Sequence, residues 1–579
     1  MELFNRELSW LSFNERVLQE SLDTNNPLIE RVRFLGIYSN NLDEFFRVRV
    51  ASVNRLIDLG KKKMEGYPAG ATALLKEIKN VVLDQQRMFE FAYEKLIREL
   101  AENSIYLINE EELVDNEQEV VQNFFREKVR PEIVPIMLSR KRKLPQLRDM
   151  GIYLAVKMTD FEKEKIKYAL IEIPSKINRF FILPNESPRK HKVILLDDII
   201  RLNLAEILNI FTFDKIEAFT FKITRDAELD VDDDISKSYL EKMQDSIQGR
   251  KTGETVRFVY DSAMPHDMLL YLMDKLNLHA GENIIPGGRY HNFKDFMGFP
   301  DFGRKSYNWA PMKPSQHPRF RRDGSLIKKI FEKDVLITYP YQTFQHVIDV
   351  LREAAIDPKV ISIKINLYRV ASDSQIINAL ISAARNGKKV TAIIELFARF
   401  DEANNIKWSE YLEDHGVNVL FGIPDVKVHS KLFIIKRKSG KKEQYIAHIG
   451  TGNFHEKTAK IYTDCSLLTA DPGITNEVEK VFKTFKSYVD RSVFRELWVS
   501  PFNQRRKIVS LINKEINNAR NGEEAYIYLK LNNLVDHKLI KKLYEASKAG
   551  VKIKGVIRGI CCLVPGVKGQ SENIVIRSV

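Results

Sequence analysis

Over residues 1–102, apolar side chains recur at three- and four-residue intervals: Leu8 and Leu11, Val17 and Leu18, then Ile29, Val32 and Leu35. This spacing places them on one stripe of an α-helix. Strand signals are few, so a helical N-terminal domain is predicted over 1–102. From 103 to 315 the pattern is mixed, with runs such as IYLAVKM and KYALIEI predicting strands between longer helical stretches. Residues 285–318 are rich in Pro, Gly and aromatics (IPGGRYHNF, MGFPDFG, WAPMKPSQHP). They predict an extended, ordered loop, because flexible linkers seldom carry so many aromatic anchors.

From about 330 an α/β pattern takes over. VISIKINLYRV reads as a strand, SQIINALISAARNG as an amphipathic helix closed by Gly387, and KKVTAIIELFA as a second strand. VNVLFG follows, and then the strand KVHSKLFIIKR. The same order returns in IYLKLNNLVD, KLIKKLYEASKAG and VKIKGVIRGI, with Lys530 matching Lys364 and Gly550 matching Gly387. Two homologous α/β domains at 316–499 and 500–579 explain this recurrence; two generic β-α-β units are the alternative. The predicted fold is a multidomain α+β architecture: a helical domain, a mixed α/β middle domain over 103–315, and two α/β domains.

Hydrophobic content of 44% and charged content of 29% are those of an ordinary globular protein. No run approaches the ~20 apolar residues of a membrane span, and MELFNRELSW has no signal-peptide pattern. Cys465, Cys561 and Cys562 are the only cysteines, which points to a reducing, cytoplasmic compartment without a disulfide framework. The net charge of +13 changes the picture more. It favours a polyanionic partner: nucleic acid, anionic membrane or a phosphate polymer. The basic clusters Arg140 through Lys143, Lys436 through Lys438, and Arg319 with Arg321 and Arg322 each read, singly, as solvated surface.

In VKVHSKLFII, strand alternation places His429 and Lys431 on one face. A second strand, QYIAHIGTGNF, ends in a glycine turn bearing Asn453, and Asp464 follows in IYTDCSLL. Histidine and lysine on one face, an amide on a glycine turn and a carboxylate suit phosphoryl transfer. The imidazole attacks phosphorus, Lys431 and Asn453 stabilise the equatorial oxygens, and Asp464 orients the other ring nitrogen. The P-loop pattern G-x-x-x-x-G-K-[ST] is absent. His448 and His455 have no same-face lysine two residues on and are read as supporting. Arg369 and Arg399 stand at strand ends, where α/β sheets place their ligands. Each is read either as a bidentate phosphate contact or as a surface ion pair, with Asp401 and Glu402 ready for Arg399.

These residues resemble the first family of polyphosphate kinases, whose catalytic half is built like the phospholipase D superfamily. The resemblance spans the chain: RELSWLSFNERVL and FLGIYSNNLDEF, then IKINLYRV, NGKKVTAIIELFARFDE, KVHSKLF, HIGTGNF and KTAKIYTDCSLLTAD, then LKLNNLVD and VIRGICCLVPG. It implies that His429 becomes a phosphohistidine, with ATP, ADP and inorganic polyphosphate as the substrates and no nucleic acid among the partners. It implies that Asn41, Tyr462 and Arg558 contact ATP and that Arg369 and Arg399 mark the Mg²⁺–phosphate site. Guanidinium has no lone pair to offer a cation, so these two are taken to hold phosphate oxygens that in turn hold Mg²⁺. Asn41 with Glu44 also fits a helix start, and Tyr462 fits simple packing as well as stacking on adenine. A positively charged polymer tunnel and a homodimer or higher homo-oligomer are implied too.

A phosphodiesterase of the D type places an Asp five residues after the lysine, where this chain has Lys436. A non-catalytic polyanion binder leaves the His429, Lys431 and Gly450–Asn453 combination unexplained. His429 stands 42 residues after Gly387, and counting as far on from Gly550 passes Val579, where the sequence stops. The second catalytic domain is therefore expected to be incomplete, without its histidine, and transfer by residues 1–579 to be severely impaired. Full ATP-to-polyphosphate activity from that chain overturns this expectation.

Overall fold

Asn5 opens the first helix by accepting hydrogen bonds from the amides of Glu7 and Leu8, at 2.9 and 3.2 Å, which satisfies donors that no earlier turn can reach. The computed structural model describes residues 2–578 apart from 59–69, 140, 185–189, 228–242, 245, 247–252, 279–283, 322–323, 372, 400, 424–425 and 486–492. Arg140 and Arg322 of the basic clusters lie outside the described residues. The chain divides into two units: residues 1–230, 248–310 and 512–579, and residues 231–247 with 311–511.

In the first unit, helices α1 (Arg6–Leu22), α2 (Leu28–Phe45), α3 (Ala51–Asp58) and α4 (Ala71–Glu102) form the predicted helical domain. The expected stripe is the core: Leu11, Leu18, Ile29, Val32 and Leu35 pack with Leu74, Ile78, Val82 and Leu96 of α4. Mixed structure comes next, as the sequence pattern predicts. Strands β1 (Ile105–Ile108), β2 (Ile136–Leu138), β3 (Ile152–Asp160), β4 (Lys165–Glu172), β5 (Phe180–Ile182), β6 (His191–Leu195), β7 (Lys215–Arg225), β8 (Thr255–Asp261) and β9 (Ile284–Gly287) form two sheets. Their orders are β1-β6-β5 and β2-β4-β3-β7-β8-β9.

The aromatic loop after β9 is ordered. Phe293, Phe296, Phe299 and Phe302 pack on the helical core. Contact with α2 is so close that a Cβ on Gly36 would lie 2.6 Å from the Met297 amide nitrogen. Arg179 pins the loop from within the fold. Its guanidinium forks onto the Asp197 carboxylate at 2.9 and 3.0 Å and donates to the carbonyls of His291 and Asn292 at 2.6 and 3.0 Å.

The second unit is built on one sheet of β10 (Val335–Thr338), β11 (Val360–Leu367), β12 (Lys389–Ile394), β13 (Asn418–Phe421), β14 (Leu432–Ser439), β15 (Lys442–Gly450) and β16 (Cys465–Thr469). The order is β10-β16-β15-β14-β11-β12-β13, with β11, β12 and β13 parallel. The helix Gln375–Arg385 joins β11 to β12, and Gly387 supplies the positive φ of 76° that ends it.

Residues 512–579 complete the first unit with β17 (Tyr526–Leu531), β18 (Lys552–Ile557) and β19 (Ile574–Arg577), all parallel in that order. The helix His537–Lys548 lies between the first two strands, and Gly550 has a φ of 97°. Strand order and the glycine-ended helix thus repeat the β11-β12-β13 arrangement.

Asp197 is wholly buried, and Arg179 is its forked partner. Replacing Arg179 by Met should cost on the order of 3–5 kcal/mol by stranding that charge, read as a fall in the urea midpoint. An unchanged midpoint would show that the pair holds nothing together.

Candidate active site

The parallel strands β11 and β12 run out at Leu367 and Ile394, and asparagines of the helix Glu402–Asp414 fix the segment after each. The Asn405 amide donates to the carbonyls of Tyr368 and Glu395, at 2.9 and 2.8 Å, and Asn404 to that of Val370, at 3.2 Å. Tyr368, Arg369, Glu395 and Arg399 are thereby held at the carboxyl ends of the strands.

His429 and Lys431 do not lie on a strand, as alternation predicts. β14 begins at Leu432, and both residues sit in the extended stretch before it. The reason is local. The β11–β14 ladder ends at Ile365 opposite Phe433, and from there the Asn366 side chain takes the place of backbone. Its amide donates to the Ser430 carbonyl, and its oxygen accepts from the Leu432 amide at 2.7 Å. One residue before His429, buried Glu395 accepts from the amide of Val428, at 2.5 Å, and it also accepts from that of Phe397, at 2.8 Å. Side chains thus satisfy the backbone on both sides of His429.

Tyr368 is the hub of the surrounding charge. The His429 ring meets it edge-on at 4.8 Å, and Lys431 Nζ, Lys427 Nζ and the Arg369 guanidinium lie 4.9, 5.7 and 5.7 Å from its centroid. Packing against Tyr368 strips water from one side of His429, although the residue as a whole remains exposed. That desolvation, then Lys431, Lys427 and Arg369, pushes the imidazole down to about 4. Neither ring nitrogen makes a hydrogen bond among the described residues. Lys431 is buried and donates to the His429 carbonyl. Burial pushes its ammonium down to about 8, opposed by Asp464 and assisted by Arg369.

Asp464 faces Lys431 and not the imidazole. Its Oδ1 accepts from the Thr451 hydroxyl at 2.8 Å, and its charge supports the Lys431 ammonium. The expectation that it orients the second ring nitrogen of His429 is therefore corrected. Gly452 permits this arrangement, since a Cβ there would lie 2.6 Å from Asp464 Oδ2. Asn453 comes next, with a buried Oδ1 that has no hydrogen-bond partner among the described residues. Arg369 pairs with Asp401, Nε to Oδ2 at 2.7 Å, and donates to the Arg399 carbonyl at 3.0 Å. Asp401 is therefore the partner of Arg369, not of Arg399 as the sequence suggests. The pair is 41% and 35% exposed, and such contacts contribute no more than about 1 kcal/mol, little enough to yield to a phosphate.

Two further histidines stand in the region. His448 is buried, stacks on Phe433 at 4.9 Å and shares a hydrogen bond with Ser466 Oγ at 2.8 Å. His455 Nδ1 accepts from the Thr458 amide at 3.4 Å. Tyr462 stands after a short turn at Thr458–Lys460 and is 47% exposed, so it does not pack into the core. Asn41 and Arg558 belong to the first unit. Asn41 lies inside α2, which starts at Leu28 and continues because Leu42 and Phe45 extend its buried stripe. The helix-cap alternative is thus overturned: the Asn41 amide donates to Asn14 Oδ1 at 3.1 Å. Two residues along α1, Arg16 donates to the Arg558 carbonyl at 3.3 Å.

Comparison with known proteins bears on this arrangement. Family models match in four consecutive blocks: polyphosphate kinase N-terminal domain over 3–108, middle domain over 116–299, C-terminal domain 1 over 325–491 and C-terminal domain 2 over 497–579. The chain belongs to the polyphosphate kinase family. The polyphosphate kinase of Yersinia pestis is 48% identical over 578 residues, covering 99% of this chain and 84% of the relative. That of Escherichia coli K12 is 47% identical, covering 98% and 83%. The crystal structure of polyphosphate kinase from Porphyromonas gingivalis superposes with a TM-score of 0.86 at 33% identity, covering all of this chain and 84% of that one. The protein is accordingly an enzyme, a kinase that transfers phosphate to or from polyphosphate with ATP as its nucleotide substrate.

Reading the sequence of this polyphosphate kinase missed Tyr368, Glu395, Lys427, Asn366 and Asn405. Lys427 was in reach, since K-V-H-S-K places it as far before His429 as Lys431 lies after it. Glu395, a carboxylate inside the apolar run AIIELFA, was the other signal. Among the described residues no group of three His, Cys, Asp or Glu side chains is placed to hold a metal, and none of their helices is long and apolar enough to cross a membrane.

Because desolvation and then Lys431 depress His429, its imidazole should titrate near 4 by NMR. Replacing Lys431 by Met should move that titration upward. An unmoved titration would mean that the lysine charge does not reach the ring.

Proposed function

We propose that His429 is the phosphoryl acceptor in a two-step transfer between ATP and polyphosphate. The observation that carries this is an imidazole held neutral, with both nitrogens unbonded among the described residues, beside Lys427, Lys431 and Arg369 at the ends of parallel strands. A ring nitrogen gives its electron pair to the γ-phosphorus in line, the bond to the bridging oxygen breaks, and ADP leaves. The phosphoryl group then passes from the ring to the end of a polyphosphate chain. Phosphohistidine is energetic, so the same steps run backwards to make ATP.

The equatorial oxygens are stabilised by Lys431 and by Arg369, which exchanges Asp401 for phosphate. Asn453 serves the same oxygens by donating from its side-chain amide nitrogen. Asp464 acts through Lys431, keeping its ammonium charged against burial. Glu395 and Asn366 are positioning residues, fixing the backbone on either side of the imidazole. The nucleotide roles of Asn41, Tyr462 and Arg558 belong to the same proposal, with the exposed Tyr462 ring for the base and Arg558 for phosphate. Mg²⁺ accompanies the phosphates and supplies charge neutralisation when bound; the cationic side chains here, Arg369 and Arg399 among them, suit phosphate oxygens and not the ion itself. Work in the cytoplasm as a homodimer or higher homo-oligomer is part of the same reading.

With γ-labelled ATP, the wild-type enzyme should take up acid-labile label, and His429→Ala should take up none. Undiminished labelling of His429→Ala would sink the proposal. The pH dependence rests on the same two groups. His429 is neutral above about 4, and Lys431 stays charged only below about 8. The kcat/KM profile should therefore hold a plateau between these values and fall as pH rises through about 8. Lys431→Arg, which keeps its charge, should move that alkaline fall upward; an unmoved limb would assign it to another group.

A further inference from the structure

Within the first unit, a cavity of about 410 Å³ opens between α2, α4 and the strands β7, β8 and β9, a size typical of small-ligand sites. Its wall is aromatic. Phe89 and Tyr93 both stand edge-on to Phe293, at 4.8 and 5.1 Å. Its floor is charged. Lys222 Nζ bonds the Asp43 carboxylate at 2.5 Å and Asn292 Oδ1 at 2.7 Å, and Arg257 Nη1 stands 3.5 Å from the same carboxylate.

Lys222 and Arg257 are 3% and 8% exposed, and Asp43 is the carboxylate they share. Two buried cations against one buried anion leave a surplus positive charge, which is costly away from water unless an anion meets it. Arg257 Nε, moreover, is buried without a hydrogen-bond partner among the described residues. The neighbouring charges do not cancel this surplus. Arg289 is engaged by Glu110 and Asp198. Glu90 and Glu94 lie at the lining but are exposed, where water and salt weaken their field. His291 Nε2 faces the Thr220 carbonyl at 3.2 Å, and burial followed by Lys222 and Arg179 keeps the ring neutral, down to about 3.

We infer that this cavity binds a small aromatic phosphate ester, of the size of a nucleoside monophosphate, separately from the residues around His429. The phosphate answers the surplus charge of Lys222 and Arg257, and the planar group lies against Phe89, Tyr93 and Phe293, as bases lie on aromatic side chains elsewhere.

Gly288 provides the test. It lines the cavity, and a Cβ there would meet nothing within 4 Å, so Gly288→Trp fills the space and Gly288→Glu adds a negative charge without a built-in clash. Equilibrium dialysis of the full chain with labelled AMP should show wild type binding one equivalent more than Gly288→Trp. Gly288→Glu should bind that equivalent at least about tenfold more weakly, a difference of about 1.4 kcal/mol. Adenosine, which lacks the phosphate, should not displace it. Gly288→Ser keeps the cavity open and should bind as wild type does, and transfer without AMP should be unchanged in all three variants. Superimposable isotherms for wild type and Gly288→Trp, or displacement by adenosine as effective as by AMP, would overturn the inference.

Discussion

Like charges gathered round one aromatic ring repel one another, and the candidate site of this kinase depends on a backbone stiff enough to hold them there. Lys427, Lys431 and Arg369 all lie within 6 Å of the Tyr368 centroid. The stiffness comes from buried polar side chains that stand in for strand ladders. Asn366 closes the bonds of Ser430 and Leu432, Glu395 those of Val428 and Phe397, and Asn405 ties the ends of β11 and β12 together. Such groups are costly to bury unless every bond is made. Their satisfaction lets the cations stay close, and burial, followed by the same cations, keeps His429 neutral.

Two histidines of similar sequence context reach opposite ends. His448, clustered with Phe433 and Phe454 and bonded to Ser466, is committed to packing. His429 meets one ring edge-on, is exposed, and has neither nitrogen bonded among the described residues. Burial depresses both imidazoles, to about 3 and about 4. What separates them is access.

Periodicity carried much of the fold into view. The buried stripe of α1 and α2, the strands β11 and β12, and the glycines at 387 and 550 follow from spacing and from the left-handed φ that such helix ends require. His429 and Lys431 were legible as a pair, but their placement off the strand was not, because nothing in a linear pattern shows that the Asn366 side chain will replace a ladder. The helix-cap alternative at Asn41 failed for a related reason. Asn41 with Glu44 imitates a cap locally, yet burial of Leu42 and Phe45 carries the helix through. Asp464 was found as a site carboxylate and given the wrong neighbour, since chain spacing does not tell which cation a carboxylate faces across a turn.

The contact of α1 with the last sheet also orders events in time. The Phe4 amide donates to the Cys562 carbonyl, Ser9 Oγ exchanges hydrogen bonds with the backbone of Cys561, and Tyr544 donates to the Glu2 carbonyl. These partners lie at opposite ends of the chain, and contacts of such separation form late. During synthesis, residues 311–511 leave the ribosome while α1 still lacks its distant partners. The sheet that contains β14 is thus available to fold first, and the contacts of α1 with Cys561 are completed only when the strands after residue 525 have emerged.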